Sequence, residues 1–304
     1  MQGTETEWID HEYYKTYEIA ARLNRIAYRG DVWLSEQFGD PLDFFVFVES
    51  PWSQVTAVHH VVRAVAHEMF LRETEGPYVD RWDELHTERL RILSVDACLA
   101  RYGLADTTFA IPSPPRQMVQ ISKNVTSWEE SDLVADACYD YFINDVALSA
   151  AYDELLGRIA DEVFFTVFNN RQLLMALNLE IADRVARVGD EDVDNEHDPR
   201  EWRKVLTSRG RVVRKTPPPW VRKAVYHRDK GRCANAECRR DLSSLLDPFP
   251  AKNFDHMVPL AAGGINDLTN LQLLCGDCNA RKSADIEWTS NRYRRWYRQP
   301  RMSS

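Results

Sequence analysis

Apolar residues recur at helical spacing through most of the first two thirds of the chain. The stretch 5–29 shows this spacing first, and Gly30 follows it as a stop signal. The same spacing predicts helices at 53–74 and at 80–102. The run FFVFVE at 44–49 is the one segment of strand-like composition in this part of the chain.

A capping box of Ser127 and Glu130 opens a long helical stretch that runs to about residue 188. We expect breaks in it near Gly157 and at 169–170, where a glycine and two asparagines interrupt the pattern. The sequence therefore predicts a mainly α N-terminal domain.

Charge divides the 304-residue chain, whose net charge is −9, into two unlike halves. Residues 1–199 hold 16 Lys and Arg against 37 Asp and Glu, a net −21, whereas residues 200–304 hold 22 against 10, a net +12. The basic half is a candidate for nucleic-acid binding. From the charge-rich runs between the halves we predict three parts, which are an acidic helical domain at 1–188, a charged linker at 189–216 and a C-terminal domain at 217–304.

The N-terminal residues are acidic and polar, where a signal peptide would be basic and then apolar. The most apolar late stretch, 163–181, is interrupted by Asn169, Asn170 and Arg171, so no membrane span is expected. We predict a cytoplasmic protein, and in that compartment clustered cysteines more often hold a metal than form disulfides.

Four of the six cysteines form two short pairs, Cys233-x4-Cys238 and Cys275-x2-Cys278. Such pairs can each wrap a turn around one tetrahedral ion, and four thiolates complete a structural Zn²⁺ site. Between the pairs, the composition predicts a strand at 254–258, an extended loop and a second strand that is followed by a helix.

The segment 217–288, about a quarter of the chain, resembles an HNH nuclease domain of the zinc-containing type found in many bacterial restriction and mobile-element enzymes. The residues that carry the resemblance occur in order along the chain: Arg228, Asp229, Cys233, Cys238, Asp255, His256, Pro259, Gly263, Gly264, Asn270, Leu271, Leu274, Cys275, Cys278, Asn279 and Lys282. The resemblance implies the ββα-metal fold, a small α+β domain. Asn279 stands where the family motif often has His. In this respect the segment resembles the H-N-N variant of the family.

The chemistry of phosphodiester hydrolysis suits these residues. A neutral imidazole, here His256, can activate water, while Asp255 and Asn279 offer oxygen ligands to a catalytic Mg²⁺ or Mn²⁺. Neighbours on a regular strand point to opposite faces, so the strand must end or distort at 255–256 if both are to serve one site. Asn279 could instead cap the helix. Asn270 is expected to fasten the long loop through backbone hydrogen bonds, which the family also implies.

Basic residues near the C-terminus are candidates for DNA contacts, or alternatively form a solvated surface. They are Arg281 and Lys282 on the predicted helix, and Arg294 and Arg295 in the segment RYRRWYR, where arginines alternate with aromatic rings that can stack on bases.

The sequence thus predicts a metal-dependent HNH endonuclease that cleaves DNA, in bacterial restriction or anti-phage defence. The acidic region would regulate or target it, through a protein partner or self-association. Two alternatives stay open, which are a zinc-stabilised DNA-binding module without cleavage and an RNA-cleaving or toxin-like nuclease.

Overall fold

The computed structural model describes residues 15–29, 33–38, 41–83, 88–105, 109, 111, 132–190, 204–238, 240–243, 250–286 and 289–291. The helices are α1 (Thr16–Arg29), α2 (Trp33–Gln37), α3 (Pro41–Phe45), α4 (Ala57–Arg72), α5 (Ser94–Arg101), α6 (Asp132–Tyr141), α7 (Ala150–Val167), α8 (Arg171–Asp190), α9 (Pro219–Arg228) and α10 (Gly276–Lys282). The strands are β1 (Val79–Asp83), β2 (Glu88–Ile92), β3 (Phe254–His256) and β4 (Leu271–Leu273).

The chain divides into two compact units. One consists of Met1–Ala21 and Val62–Val163, and the other of Arg22–Val61 and Phe164–Ser304. These two units divide the chain at positions other than the predicted linker, 189–216. The predicted division into two domains and a linker stays a prediction, because it concerns which parts of the chain fold on their own. None of the described helices is long and apolar enough to cross a membrane.

The first unit is built mainly from α5, α6 and α7, together with an antiparallel hairpin of β1 and β2. Between α6 and α7 the helical backbone widens into one π-helical turn, Phe142–Val146. Its core consists of residues spaced along helical faces and fully buried, such as Leu155, Ile159 and Val163 on α7. The predicted α character of the N-terminal region is confirmed.

Two local predictions in the N-terminal region are wrong. Residues 79–83 and 88–92 form the paired strands β1 and β2 rather than the first part of a helix, because Leu90 and Ile92 alternate with charged residues at the period of a strand. The run 44–49 continues α3 into turns, since Phe44, Phe47 and Val48 are buried at helical rather than alternating spacing.

The predicted break near Gly157 is also wrong, because α7 runs through it. A single glycine costs a helix about 1 kcal/mol, which the packed neighbours of α7 outweigh. The break at 169–170 is confirmed, and α8 begins directly after it.

In the second unit, β3 pairs antiparallel with β4, with Asp255 opposite Gln272 and His256 opposite Leu271. Helix α9 packs against β4, and α10 follows β4 directly. This arrangement of two short strands and a helix is the predicted ββα unit, and it is confirmed. A long connection between the strands contains the short 3-10 turns Leu260–Ala262 and Leu268–Asn270.

Helix α8 packs closely on that connection. Gly263 adopts a left-handed φ of 86°, and a Cβ atom there would lie 2.3 Å from the carbonyl oxygen of Ala182. The Asn178 side chain donates a hydrogen bond to Thr269 Oγ1 at 3.2 Å. Residues upstream of the predicted linker therefore help to hold the ββα unit in place.

Candidate active site

Four cysteine sulfurs converge beside the β3–β4 sheet. The sulfurs of Cys233, Cys238, Cys275 and Cys278 all lie within 4.8 Å of one another, and those of Cys238 and Cys275 are 3.8 Å apart. A tetrahedral zinc ion with Zn–S bonds of about 2.3 Å spaces its sulfurs about 3.8 Å apart. The four thiols therefore fit a zinc ion in both geometry and chemistry.

Local turns set this geometry. The Asn235 side chain accepts hydrogen bonds from the main-chain N of Glu237 and of Cys238, which folds the first pair into a turn. In the second pair, Cys275 is the N-cap of α10, and its sulfur accepts from Cys278 N at 3.4 Å. Burial raises the pKa of Cys233 and of Cys278. A bound cation would favour the thiolate forms instead.

Strand β3 ends at His256, as the requirement that Asp255 and His256 serve one site predicts. Both residues are buried, and only 2% of His256 is exposed. Burial, followed by the positive charge of Arg214, lowers the pKa of His256 to about 3. The imidazole is therefore neutral at cellular pH, but in this buried arrangement it accepts a proton less readily than an exposed histidine does.

An aromatic ring from the N-terminal part of the chain lies over His256. The ring of Trp52, in the turn between α3 and α4, has its centroid 5.8 Å from that of the imidazole, with the ring planes at 36°. The main-chain N of Trp52 donates to the main-chain O of Asn266 at 2.9 Å. Sequence patterns gave no indication that Trp52 reaches this site.

Asp255 forms an ion pair inside the domain. The Nζ of Lys282 lies 2.9 Å from Oδ2 of Asp255 and donates to the main-chain O of His256, also at 2.9 Å. The Lys282 side chain is almost fully buried. In this arrangement its ammonium neutralises Asp255 and faces the domain interior, so a contact with a phosphate would require this ion pair to open.

The two motif asparagines occupy different surroundings. Asn270 is fully buried; its amide donates to Val258 O and Ile265 O, each at 3.0 Å, and its carbonyl accepts from Val258 N at 2.9 Å. Asn279 lies within α10 rather than at its N-cap, and donates to Lys252 O at 2.7 Å. An amide oxygen and the Asp255 carboxylate are the kind of hard donors that Mg²⁺ and Mn²⁺ take.

The basic residues predicted to contact DNA are differently placed. Arg281 is exposed on α10, and its guanidinium donates to Cys278 Sγ at 3.5 Å, next to the four-cysteine cluster. Arg294 and Arg295 lie outside the described residues.

A buried charge cluster holds strand β4. Asp229, at the end of α9, is fully buried; it accepts from Leu273 N at 2.8 Å and from the guanidinium groups of Arg228 and Arg171. These two arginines hold the pKa of Asp229 below its usual value, although burial alone would raise it. Arg228 and Asp229 carry part of the family resemblance, but no sequence pattern indicated that Arg171 joins them.

The ββα unit with a four-cysteine cluster beside it is the arrangement that the resemblance to HNH domains implies. Residues 233–285 match the family model described as HNH endonuclease, which confirms the resemblance found in the sequence. The N-terminal half of the chain is not matched by that model. Searches of curated proteins and of solved structures gave no match. The HNH domain supports a nuclease or nucleic-acid-binding role.

Proposed function

We propose that the protein is a metal-dependent endonuclease that hydrolyses phosphodiester bonds of DNA. The observation that carries the proposal is the position of His256, which directly follows Asp255 at the end of strand β3 in a domain that matches the HNH endonuclease model. The net charge of +12 over residues 200–304 favours a polyanionic substrate.

In this mechanism His256 accepts a proton from the attacking water through a ring nitrogen. Asp255 and Asn279 would hold a Mg²⁺ or Mn²⁺ ion, which supplies positive charge against the developing charge on the phosphate. Asn270 orients the site indirectly, since all of its hydrogen bonds fix the main chain that follows His256. Four cysteines would hold a structural Zn²⁺ that fixes the start of α10.

DNA would approach over basic side chains at the C-terminal end of the domain. Arg281 is exposed and can contact phosphates as it stands, whereas Lys282 would do so only on leaving Asp255. Arg294 and Arg295 complete the proposed contact set. These contacts would position the backbone without reading the base sequence.

The test is cleavage of supercoiled plasmid, with Mg²⁺ and with Mn²⁺, by the wild type and by His256→Ala. We expect nicking by the wild type and a loss of about a hundredfold or more in the variant, in line with removal of a general base. His227→Ala, an exposed histidine at the end of α9, is the matched control and should cleave normally. Undiminished cleavage by His256→Ala would overturn the mechanism.

The same experiment separates the two alternatives. A zinc-stabilised binding module would shift plasmid mobility in a gel without nicking it at any metal concentration. An RNA-cleaving or toxin-like nuclease would degrade single-stranded or structured RNA and leave the plasmid intact, with the same dependence on His256.

Bacterial restriction or anti-phage defence, in the cytoplasm, is the biological role that we propose. It is supported by the resemblance to zinc-containing HNH domains of restriction enzymes, and a reducing compartment suits the four thiols. The acidic N-terminal region would regulate or target the nuclease, through a partner protein or self-association. Plaque counts on bacteria that carry the wild type or His256→Ala test this role, and equal counts would contradict it.

A further inference from the structure

His256 is closed in a way that does not suit its proposed reaction. Only 2% of the residue is exposed, and neither ring nitrogen has a hydrogen bond of normal geometry among the described residues, although the Asn266 side chain lies close enough to interact with the imidazole. Buried polar atoms of folded proteins are nearly always paired. A general base must also reach water and the substrate. This arrangement satisfies neither requirement.

Trp52 covers part of the imidazole. Its ring lies against His256 at 5.8 Å between centroids, and only 8% of Trp52 is exposed. The indole Nε1 is buried as well, again without a hydrogen-bond partner among the described residues. The tilted ring contact with His256 and the main-chain hydrogen bond to Asn266 thus belong to the packing that holds this ring in place.

The backbone at Trp52 is strained. Its φ is 63°, in the left-handed region, which a bulky side chain rarely adopts. Strained residues of this kind persist where surrounding packing forces them, and they concentrate at switches and functional sites. Downstream, the turn is fixed to the HNH domain, since Ala57 N at the start of α4 donates to Asp267 Oδ2 at 3.0 Å. The turn 50–56 is thus attached to the HNH domain at its downstream end.

Asn266 connects this turn to a basic segment. Besides accepting from Trp52 N, Asn266 binds the main chain of Val213 and of Lys215 through its side chain, at 2.8 and 3.2 Å. Between these two residues lies Arg214, which is exposed and close enough for its charge to act on His256. A phosphate drawn to Arg214 would therefore arrive beside the residue that holds Trp52.

We infer that the turn 50–56 is an autoinhibitory cover, and that nucleic acid reaches His256 only when Trp52 leaves the imidazole. The inference rests on the proposed function of His256. The cover comes from the N-terminal part of the chain, and so it assigns to residues around Trp52 a regulatory role over the HNH site.

Trp52→Gly tests the cover, because glycine removes the indole and accepts the left-handed φ without strain. Diethyl pyrocarbonate modifies accessible neutral imidazoles, and mass spectrometry reports the rate at each histidine. We expect modification of His256 to rise about tenfold or more in Trp52→Gly, since reaction of a covered group follows its opening. The exposed His227 is the internal reference, and Trp220→Ala, a 39% exposed tryptophan on α9, should leave His256 unchanged.

Plasmid nicking by the same variants gives the second readout. The cover predicts several-fold faster nicking by Trp52→Gly, whereas a purely structural Trp52 predicts slower nicking together with a lower melting temperature. If His256 becomes reactive but no variant cleaves nucleic acid, the cover stands and the proposed nuclease function fails. An unchanged reactivity of His256 in folded Trp52→Gly would overturn the cover.

Hydrogen exchange of the wild-type protein tests the cover without a variant, and so it applies even if Trp52→Gly does not fold. The amide of Trp52 is bonded to Asn266 in the closed arrangement, so its exchange reports the cover directly. We expect a short DNA duplex, added without further divalent metal, to accelerate exchange in the peptide that contains 50–56. Unchanged or slower exchange under saturating duplex would contradict displacement of the turn by nucleic acid.

Discussion

Arg171 Nη1 lies 2.8 Å from Oδ1 of Asp229, and both side chains are buried. Arg171 is the first residue of α8, whereas Asp229 directly follows α9 and holds β4 through Leu273 N. The guanidinium of Arg171 also donates to the main-chain O of Ser290. One side chain thus ties a helix upstream of the predicted linker to two parts of the C-terminal region.

Replacing Arg171 by methionine should destabilise the HNH domain. Removal of one partner from a buried ion pair costs about 3–5 kcal/mol, because the other charge is left without compensation. Arg228 keeps part of that compensation here, so we expect a loss of about 3 kcal/mol, measured by urea unfolding. Arg187→Met on the same helix removes an exposed pair with Asp183 and should cost less than about 1 kcal/mol. Equal unfolding midpoints of the two variants would show that the buried pair contributes no more than a surface pair.

The four-cysteine cluster predicts one zinc ion per chain. Cys275→Ser removes a ligand and the N-cap of α10 together, so zinc content should fall and the HNH domain should lose its folded structure. Elemental analysis and circular dichroism measure the two effects. Cys138→Ser, a buried cysteine outside the cluster, is the control and should keep its zinc. Purified wild-type protein without zinc, prepared without chelators, would contradict the prediction.

Stability of the first unit should depend on pH through Asp96. Burial raises the pKa of Asp96 to about 6, against a hydrogen bond from Tyr141 that lowers it. Between about pH 4 and pH 6 the folded state therefore binds more protons than the unfolded state, and stability falls as pH rises, by up to about 3 kcal/mol in all. Hydrogen exchange of α5 amides across this range measures the effect.

Two variants complete the pH experiment. Asp96→Asn cannot ionise, so protection of α5 should become nearly constant between pH 4 and pH 6 once intrinsic exchange rates are corrected for. Asp153→Asn, which removes an exposed carboxylate paired with Arg63, should retain the wild-type pH dependence. A pH dependence that persists in Asp96→Asn would assign it to another group.

The sequence predicted the four-cysteine cluster and the ββα unit because their determinants are local. Each cysteine pair forms its own turn, and both strands, with His256 at the end of β3 and Asn270 directly before β4, lie between the pairs. It could not predict Trp52 or Arg171, because tertiary packing brings these side chains to the domain from other parts of the chain. No local pattern marks a residue whose partner lies elsewhere in the sequence.

The hairpin error has a different cause. The segment 79–92 mixes charged residues with a few apolar ones, and over so few residues helical and strand periods are hard to separate. The pairing of Val79 with Ile92 and of Asp83 with Glu88 stabilises the strand conformation, and a pattern along the sequence does not show this pairing.

His256 and Asn270 both belong to the family motif, but the structure predicts that mutating them affects different properties. Mutation of Asn270 should lower stability, whereas mutation of His256 should lower cleavage. Asn270→Asp keeps the shape of the side chain but loses the two hydrogen bonds to Val258 O and Ile265 O and places a carboxylate in a fully buried position. We expect a loss of about 3 kcal/mol or more in urea unfolding. His256→Ala leaves a cavity but no buried charge, and its ring nitrogens make no hydrogen bond of normal geometry, so it should lose less stability than Asn270→Asp.

Cleavage, divided by the fraction of folded and zinc-loaded protein, then separates the two roles. Because Asn270 acts by fixing the main chain after His256, the folded fraction of Asn270→Asp should cleave DNA at nearly the wild-type rate. Asn144→Asp, an exposed asparagine of the first unit, should change neither stability nor rate. If Asn270→Asp were as stable as the wild type but did not cleave, Asn270 would take part in the chemistry itself, and its role as the fastener of the loop would be wrong.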